Sequence, residues 1–470
     1  MRGQSSSTSG NRNRVSGFLR LCIFSLLTAA FAFTSAHAQT VAYVANAGSN
    51  SVSVIDTTTN TVTANIPLAS SPVAVVFSPD GSRAYVGDST NNGGFPPFPN
   101  GTIYVIDTST NIVVRTISLT NSEDGASLAI TPDGTTLYAS ADTTGDALVI
   151  DIASGNVTAT LPGIGGGAVV ITPNGSTAYV SNRFNAVTAI TTASNTVTAT
   201  IPVGITFPAT TQMAITPDGS FLYVPLFGPG QAVVIATATN SVVGTPISTV
   251  QGPFGVAITP DGAFAYVYSG ISTGGVSVIR TADNTVVATV PAGKNLNGLA
   301  ITPDNAFAYV TVSNSNSVAV IDTATNTVVA NVPVGSVPVG IAIANLSTPF
   351  AAFTIDNLVI NNNLHEQGDF TLGANTGGID LANQPLTLTV NDFSLTIPAG
   401  SFRQVGGNMH FVFNGTVNGL SVNFNLKAVN GSSSQFTYGV DVHGVSIGGP
   451  NPANVALKIG HNSGSTTAPF

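Results

Sequence analysis

The chain has no tryptophan, a single cysteine and little charge, with 7% of its 470 residues being Asp, Glu, Lys or Arg. Between residues 39 and 350 the shortage deepens: no histidine, no cysteine, one glutamate (Glu123), four arginines (Arg83, Arg115, Arg183, Arg280) and one lysine (Lys294). The lone Cys22 excludes an intrachain disulfide, so stability must come from packing. General acid–base and metal-assisted chemistry need convergent His, Asp, Glu or Lys, and this stretch can barely assemble such a group. Outside the N-terminus no run approaches the ~20 apolar residues of a spanning helix, so a membrane does not explain the low charge.

The N-terminus is of another kind. Arg12, Arg14 and Arg20 precede an apolar run from Leu21 to Phe33, and Ala36-His37-Ala38 places small residues where a signal peptidase reads them. Residues 1–38 are therefore expected to be a signal peptide cleaved before Gln39, which makes the protein secreted, at the cell surface or periplasmic. Their removal leaves 8 basic against 21 acidic side chains, a formal charge of −13, and no transmembrane segment. That balance speaks against nucleic acid, whose phosphates require clustered Lys and Arg.

What the chain does have is repetition. Short strands around Tyr43, Tyr85, Tyr138, Tyr179, Tyr223, Tyr266 and Tyr309 are separated by 42, 53, 41, 44, 43 and 43 residues, the length of a four-stranded propeller blade. The long gap marks an insertion, Asn91 to Gly101. Ahead of six of these strands stands a turn of the form Ser78-Pro79-Asp80-Gly81, in which proline presets φ, Asp or Asn bonds the backbone and glycine takes positive φ. After each tyrosine strand comes strand, polar turn, strand, as in Ile55-Asp56-Thr57-Thr58-Thr59-Asn60-Thr61-Val62. Sheets rich in Val, Ala and Thr and covered on both faces leave little room for charge, which accounts for the composition. The first tyrosine strand, Val41 to Ala45, lacks a preceding partner, while residues 339–344 form an innermost strand with no blade after it; together they should close a ring.

The tetrapeptides Tyr43-Val44-Ala45-Asn46, Tyr85-Val86-Gly87-Asp88 and Tyr179-Val180-Ser181-Asn182 resemble the YVTN repeat. That resemblance covers residues 39–350 and implies a seven-bladed β-propeller of the secreted, surface-layer-like kind, similar in fold to the seven-bladed lactonases. The family's Asn is missing after Tyr223, Tyr266 and Tyr309. A lactonase-like hydrolase and a structural surface-layer component are thus the alternatives to a binding scaffold. From residue 351 the repeat stops, and short alternating runs up to residue 470 predict a β-sandwich or jelly roll.

No residue is assigned a catalytic, cofactor or metal role. Asp56, Asp107, Asp151 and Asp322 recur at one repeat position and read as turn residues bonding their own backbone. Asp142, Thr143, Thr144 and Asp146 are too few for Ca²⁺. His365, Glu366 and Asp369 resemble a metal site but lack its spacing and read as a solvated loop. Variable loops on a rigid scaffold are where binding resides. The side chains expected on that face are Phe95, Phe98, Arg183, Phe184, Phe207, Phe227, Phe254 and Lys294, for a protein or carbohydrate at the cell surface.

Overall fold

The computed structural model describes residues 40–470 except 89–100, 120–126, 142–143, 183–184, 205–211, 273, 347, 361–362, 373–380, 382–385, 392, 399–400, 406–409, 430–434, 444–452, 460–461 and 469–470. The signal-peptide reading therefore lies outside the described residues. Among those described, strands dominate, and helix is limited to two 3₁₀ turns at Ala47–Ser49 and Ser313–Ser315.

Seven antiparallel four-stranded sheets follow one another. Blade 1 holds Thr40–Asn46, Ser51–Asp56 and Thr61–Pro67; blade 2, Pro72–Phe77, Arg83–Asp88, Thr102–Asp107 and Ile112–Ser118. Blade 3 is Ser127–Ile130, Thr136–Ser140, Ala147–Asp151 and Val157–Leu161, and blade 4 is Gly166–Ile171, Thr177–Asn182, Ala186–Thr191 and Thr196–Pro202. Blade 5 has a very short innermost strand, Ala214–Ile215, then Phe221–Leu226, Gln231–Ala236 and Ser241–Ser248. Blade 6 is Pro253–Ile258, Phe264–Ser269, Val276–Arg280 and Thr285–Val290; blade 7 is Leu296–Ile301, Phe307–Val312, Ser317–Asp322 and Thr327–Pro333.

The fourth strand of blade 1 comes from the far end of the repeat array. Pro338–Asn345 pairs antiparallel with Thr40–Asn46, with Tyr43 opposite Ala342 and Val41 opposite Ala344. Innermost strands touch in the cycle of blades 1 to 7 and back to 1, so the ring is closed. The closure expected from the two incomplete ends is the one observed.

The second and third strands of each blade are buried on both faces, with Ala42, Tyr43, Val44 and Ala45 fully covered in blade 1. The outermost strands alternate exposed and half-buried residues, as in Thr61–Pro67. A bulge against the third strand recurs at Val54/Ile55, Val105/Ile106, Val149/Ile150, Ala189/Ile190, Val278/Ile279 and Val320/Ile321. Bulges twist and interrupt an edge, which hinders pairing with another molecule.

Each tyrosine ring lies in the seam between blades. Burying such a ring contributes roughly 2–3 kcal/mol, but its hydroxyl needs a partner. The next blade supplies one: Tyr138, Tyr179, Tyr223 and Tyr266 donate to Oδ1 of Asn195, Asn240, Asn284 and Asn326 at 2.5, 2.7, 2.5 and 3.0 Å. Tyr43 donates to Asn111 in the same way, and Tyr309 of blade 7 reaches Asn60 of blade 1 at 2.5 Å. All six asparagines adopt positive φ, a conformation Asn tolerates well. Facing Tyr85, blade 3 carries Gly155 at this position, and Arg115 bridges the seam by donating to the carbonyls of Ile152 (3.1 Å) and Ala153 (2.9 Å). A Cβ on Gly155 would collide with that guanidinium at 2.0 Å.

The Pro-Asp-Gly turns fold as their residues dictate. Gly81 N donates to Ser78 O at 2.8 Å with Gly81 at φ 72°. Each turn also meets the next, since a Cβ on Gly134 would lie 3.5 Å from Pro79 Cδ and one on Gly175 3.2 Å from Pro132 Cδ. In blade 7, Asn305 replaces the glycine, and its Oδ1 accepts from Asp261 N of blade 6 at 2.9 Å.

Beyond residue 347 the chain is again all strand, in two halves joined through one long strand. One ten-stranded sheet runs Phe393–Ile397, Leu386–Val390, Ala453–Ile459, Asn462–Ala468, Thr348–Ile360, Asn363–Leu372, Gln435–His443, Leu420–Ala428, His410–Val417 and Arg403–Gln404. Its hydrogen bonding is continuous because the long Thr348–Ile360 strand pairs with Asn462–Ala468 at one end and with Asn363–Leu372 along the rest. Leu388 and Leu395 from one half share a single core with Phe370, Phe424 and Phe436 from the other.

Candidate functional site

The aspartates that mimic a ligand ring are turn residues, as their position predicts. Asp56 Oδ1 accepts from Thr58 N at 2.8 Å, Asp107 from Ser109 N at 3.0 Å, Asp151 from Ser154 N at 2.7 Å and Asp322 from Thr325 N at 2.8 Å. In the Pro-Asp-Gly turns, hydrogen bonds from Thr131, Thr216 and Thr259 hold Asp133, Asp218 and Asp261 below the usual carboxylate range. Asp146 ties its loop to the connection leading into blade 4 by accepting from Gly163 N at 2.9 Å, whereas Asp142 and Thr143 lie outside the described residues.

The opposite end of the ring carries the loops after the tyrosine strands and the connections between blades. Here the Asn or Asp ending a tyrosine strand ties the following loop back. Asn182 Oδ1 accepts from Asn185 N and Ala186 N, both at 3.0 Å. Asp88, buried to 3% exposure, accepts from Thr102 N at 2.7 Å and from Ser70 Oγ at 2.5 Å, and burial raises its pKa. Asp88 thus ties the end of the tyrosine strand of blade 2 to the start of Thr102–Asp107.

Of the side chains expected on this face, the structure brings two together. Phe227, just after the tyrosine strand of blade 5, and Phe254, on the innermost strand of blade 6, meet edge to face with centroids 6.1 Å apart. Both are half-buried. Phe254 fits against Gly270, where a Cβ would sit 2.9 Å from its Cγ, and Ile271 covers Gly252 in the same manner. The adjacent loops are stitched to blade 7 by Asn295 N donating to Ile271 O at 3.2 Å and by Asn295 Nδ2 donating to Asn314 Oδ1 at 2.9 Å. Lys294 stands exposed beside this stitch. Phe95, Phe98, Arg183, Phe184 and Phe207 lie outside the described residues.

One further contact crosses the ring interior. Gln212 precedes the innermost strand of blade 5, yet its Nε2 donates to Leu299 O in blade 7 at 2.9 Å, and its Oε1 accepts from Leu299 N at 3.4 Å. Blade 6 lies between the two, so the amide spans the ring interior and imitates a strand partner for Leu299. A lone glutamine in an inter-blade connection gives no sequence signal for this role.

In the C-terminal sheet, His365, Glu366 and Asp369 are on the Asn363–Leu372 strand and not in a loop, a correction to the sequence reading. Strand alternation sends His365 and Glu366 to opposite faces. Glu366 is fully buried and accepts from the Tyr438 hydroxyl, while its Oε2 has no partner among the described residues. Burial pushes its carboxyl up to about 7. His365 is hydrogen-bonded through Nδ1 to Asp441 Oδ1 on the other face. Among the described residues no group of three His, Cys, Asp or Glu is placed to hold a metal, and no helix is long and apolar enough to cross a membrane.

With this geometry established, solved structures supply the comparison. A functionally unknown protein from Desulfotomaculum acetoxidans DSM 771 superposes with a TM-score of 0.55 at 19% identity, covering 65% of this chain and 99% of that one. A protein from Lactobacillus plantarum gives 0.53 at 16% identity, over 65% and 99% of the two chains. Hydrazine synthase from Kuenenia stuttgartiensis is 22% identical over 58% of this chain and 89% of that one, with a TM-score of 0.49. The likeness to the first two, at these identities, is likeness of fold, and unrelated activities share this fold. The repeat region of this chain, residues 40–345, is a seven-bladed β-propeller. No family model and no curated protein matches its sequence.

Proposed function

We propose that this propeller is a non-catalytic binding scaffold of the YVTN-like kind, exported through its N-terminal segment, that engages a protein or carbohydrate at the cell surface. The observation that carries this reading is the Gln212–Leu299 bridge, in which an amide preceding the innermost strand of blade 5 lies across the ring interior to the innermost strand of blade 7. The carboxylates of the repeated turns are engaged by local backbone and hydroxyl donors, which keep them away from any common centre, and the donors at Asp133 and Asp218 lower the pKa of those two. Recognition then falls to the face bearing Phe227, Phe254 and Lys294, and the sequence Gly93-Gly94-Phe95-Pro96-Pro97-Phe98-Pro99 of the insertion suits the same role, since prolines limit the entropy lost on binding and two phenylalanines offer apolar area.

The test uses the full chain without residues 1–38. p-Nitrophenyl acetate and γ-butyrolactone should show no turnover above background, with or without Ca²⁺ or Zn²⁺. Saturable hydrolysis abolished by one Asp or Glu substitution would overturn the non-catalytic reading. Cosedimentation with isolated cell-wall sacculi should weaken in Phe95→Ser/Phe98→Ser while the melting curve stays in place. Equal retention of parent and variant would remove the insertion from the binding face.

A further inference from the structure

The C-terminal sheet carries a polar groove on the side away from its core. Four adjacent strands, Asn363–Leu372, Gln435–His443, Leu420–Ala428 and His410–Val417, align their side chains in rows. One row runs His365, Asp441, Asn423, Asn414, and the next runs Gln367, Gly439, Asn425, Val412. These positions alternate with the buried Phe370, Phe424, Tyr438 and Val440, so they face outward together. The groove they form has a volume of about 480 Å³, within the range of roughly 300–1,000 Å³ of small-ligand sites.

Gly439 lies at the centre of this surface, and nothing internal requires it. Its φ is not positive. A Cβ there would come no closer than 3.8 Å to Gln367 Cγ. Glycine inside a strand is destabilising by roughly 0.5–1 kcal/mol relative to alanine, and a β-branched residue would suit the position better. What the missing side chain does is lower the floor of the groove, as strand glycines do where another molecule approaches closely.

The lining chemistry selects the occupant. Amides of Gln367, Asn414, Asn423 and Asn425 each offer donor and acceptor together, matching hydroxyl groups, which do the same. His365 is held between Gln367 Nε2, 2.9 Å from its Nε2, and Asp441, so the polar surface is ordered before anything binds. Lys427 is the one Lys or Arg lining the groove, which does not suit a polyanion, and polar side chains outnumber the apolar Val412, Phe424, Tyr438 and Val440, which does not suit a wholly hydrophobic peptide. We infer that this groove binds a segment of a neutral polysaccharide, independently of what the propeller face recognises.

The experiment is titration of the full chain lacking residues 1–38 with laminarin, xylan, mannan and soluble cello-oligosaccharides, with heparin as the polyanion control. At least one neutral glycan should bind with little dependence on salt. Gly439→Val should weaken that binding by ~tenfold or more while keeping or raising the melting temperature. Should Gly439→Val fail to fold, the exposed pair Asn423→Ala/Asn425→Ala must give the same loss. Failure of every neutral glycan, binding of heparin alone, binding unaffected by both variants, or self-association abolished by Gly439→Val would each overturn the proposal.

Discussion

The Tyr309 hydroxyl of blade 7 donates to Asn60 Oδ1 of blade 1 at 2.5 Å across 249 residues of sequence, and also reaches Thr57 O at 3.2 Å. It is the same clasp that joins five other seams, placed where the ring meets itself. Hydrogen bonds of this kind contribute about 1 kcal/mol each, and more when their loss strands a buried acceptor. Tyr309→Phe and Tyr179→Phe should each lower the unfolding free energy by roughly 1–3 kcal/mol in guanidinium titrations. The double variant should be additive, because distant sites rarely couple. A silent Tyr309→Phe would show that strand pairing alone closes the ring.

The buried tyrosines also set the alkaline limit. Burial pushes Tyr138, Tyr223 and Tyr266 up to about 12 from an ordinary value of 10.0, with nearby Asp322 and Asp261 adding to the effect at Tyr266. Because the unfolded chain ionises first, stability is fully present below pH 10 and drains away between pH 10 and 12. Tyrosinate absorbance should therefore grow together with loss of the β circular dichroism signal. Ionisation of these residues near pH 10 in an intact fold would contradict the burial argument.

Glu366 titrates in the other module with the same sign. Its carboxyl is raised from 4.5 to about 7 by burial, opposed by the Tyr438 hydrogen bond. Stability from the neutral acid is complete below pH 4.5 and is lost as pH rises to 7, on the order of 3 kcal/mol in all. Hydrogen exchange in the Gln435–His443 strand should accelerate over that window beyond the intrinsic rate. In Glu366→Gln the extra acceleration should vanish, and at pH 8 the variant should be the more stable protein; parallel profiles for the two would refute the assignment.

Val337 has φ 52°, a conformation that costs a β-branched residue roughly 1–2 kcal/mol. It is held there by the closure, with Ala47 N donating to Val337 O and Val337 N to Asn316 Oδ1, both at 2.9 Å. Its side chain is 42% exposed, so little packing is at stake. Val337→Asn should raise the melting temperature, and a fall would mean that contact of the valine methyls with Gly48 outweighs the strain.

The propeller was legible because each blade repeats signals that are local and mutually consistent: a turn preset by Pro79 and Gly81, a strand around Tyr85, an Asp107-led turn. Even the closure could be read, since residues 41–45 and 339–344 each lack what the other has. The partner of each tyrosine hydroxyl was not, because Tyr223 and Asn284 stand 61 residues apart and only blade stacking joins them. The Asn363–Leu372 strand was missed for a different reason. Its inward positions are Leu364, Glu366, Gly368 and Phe370, and the acid and glycine mask the apolar alternation that betrays a half-buried strand. Gln212 carried no pattern at all, since its role depends on the curvature of the ring.

The shared first blade also has a meaning in time. Thr40 and Asn345, joined side chain to side chain at 2.6 Å, are 305 residues apart. At ~5–20 residues per second of synthesis, the strand at the start of the ring waits roughly 15–60 s before its partner is made. Throughout that interval Thr40–Asn46 presents an unpaired inner edge, and every product stopped short of residue 338 keeps it permanently. Premature termination is thus converted into an open strand edge, available for pairing with another chain.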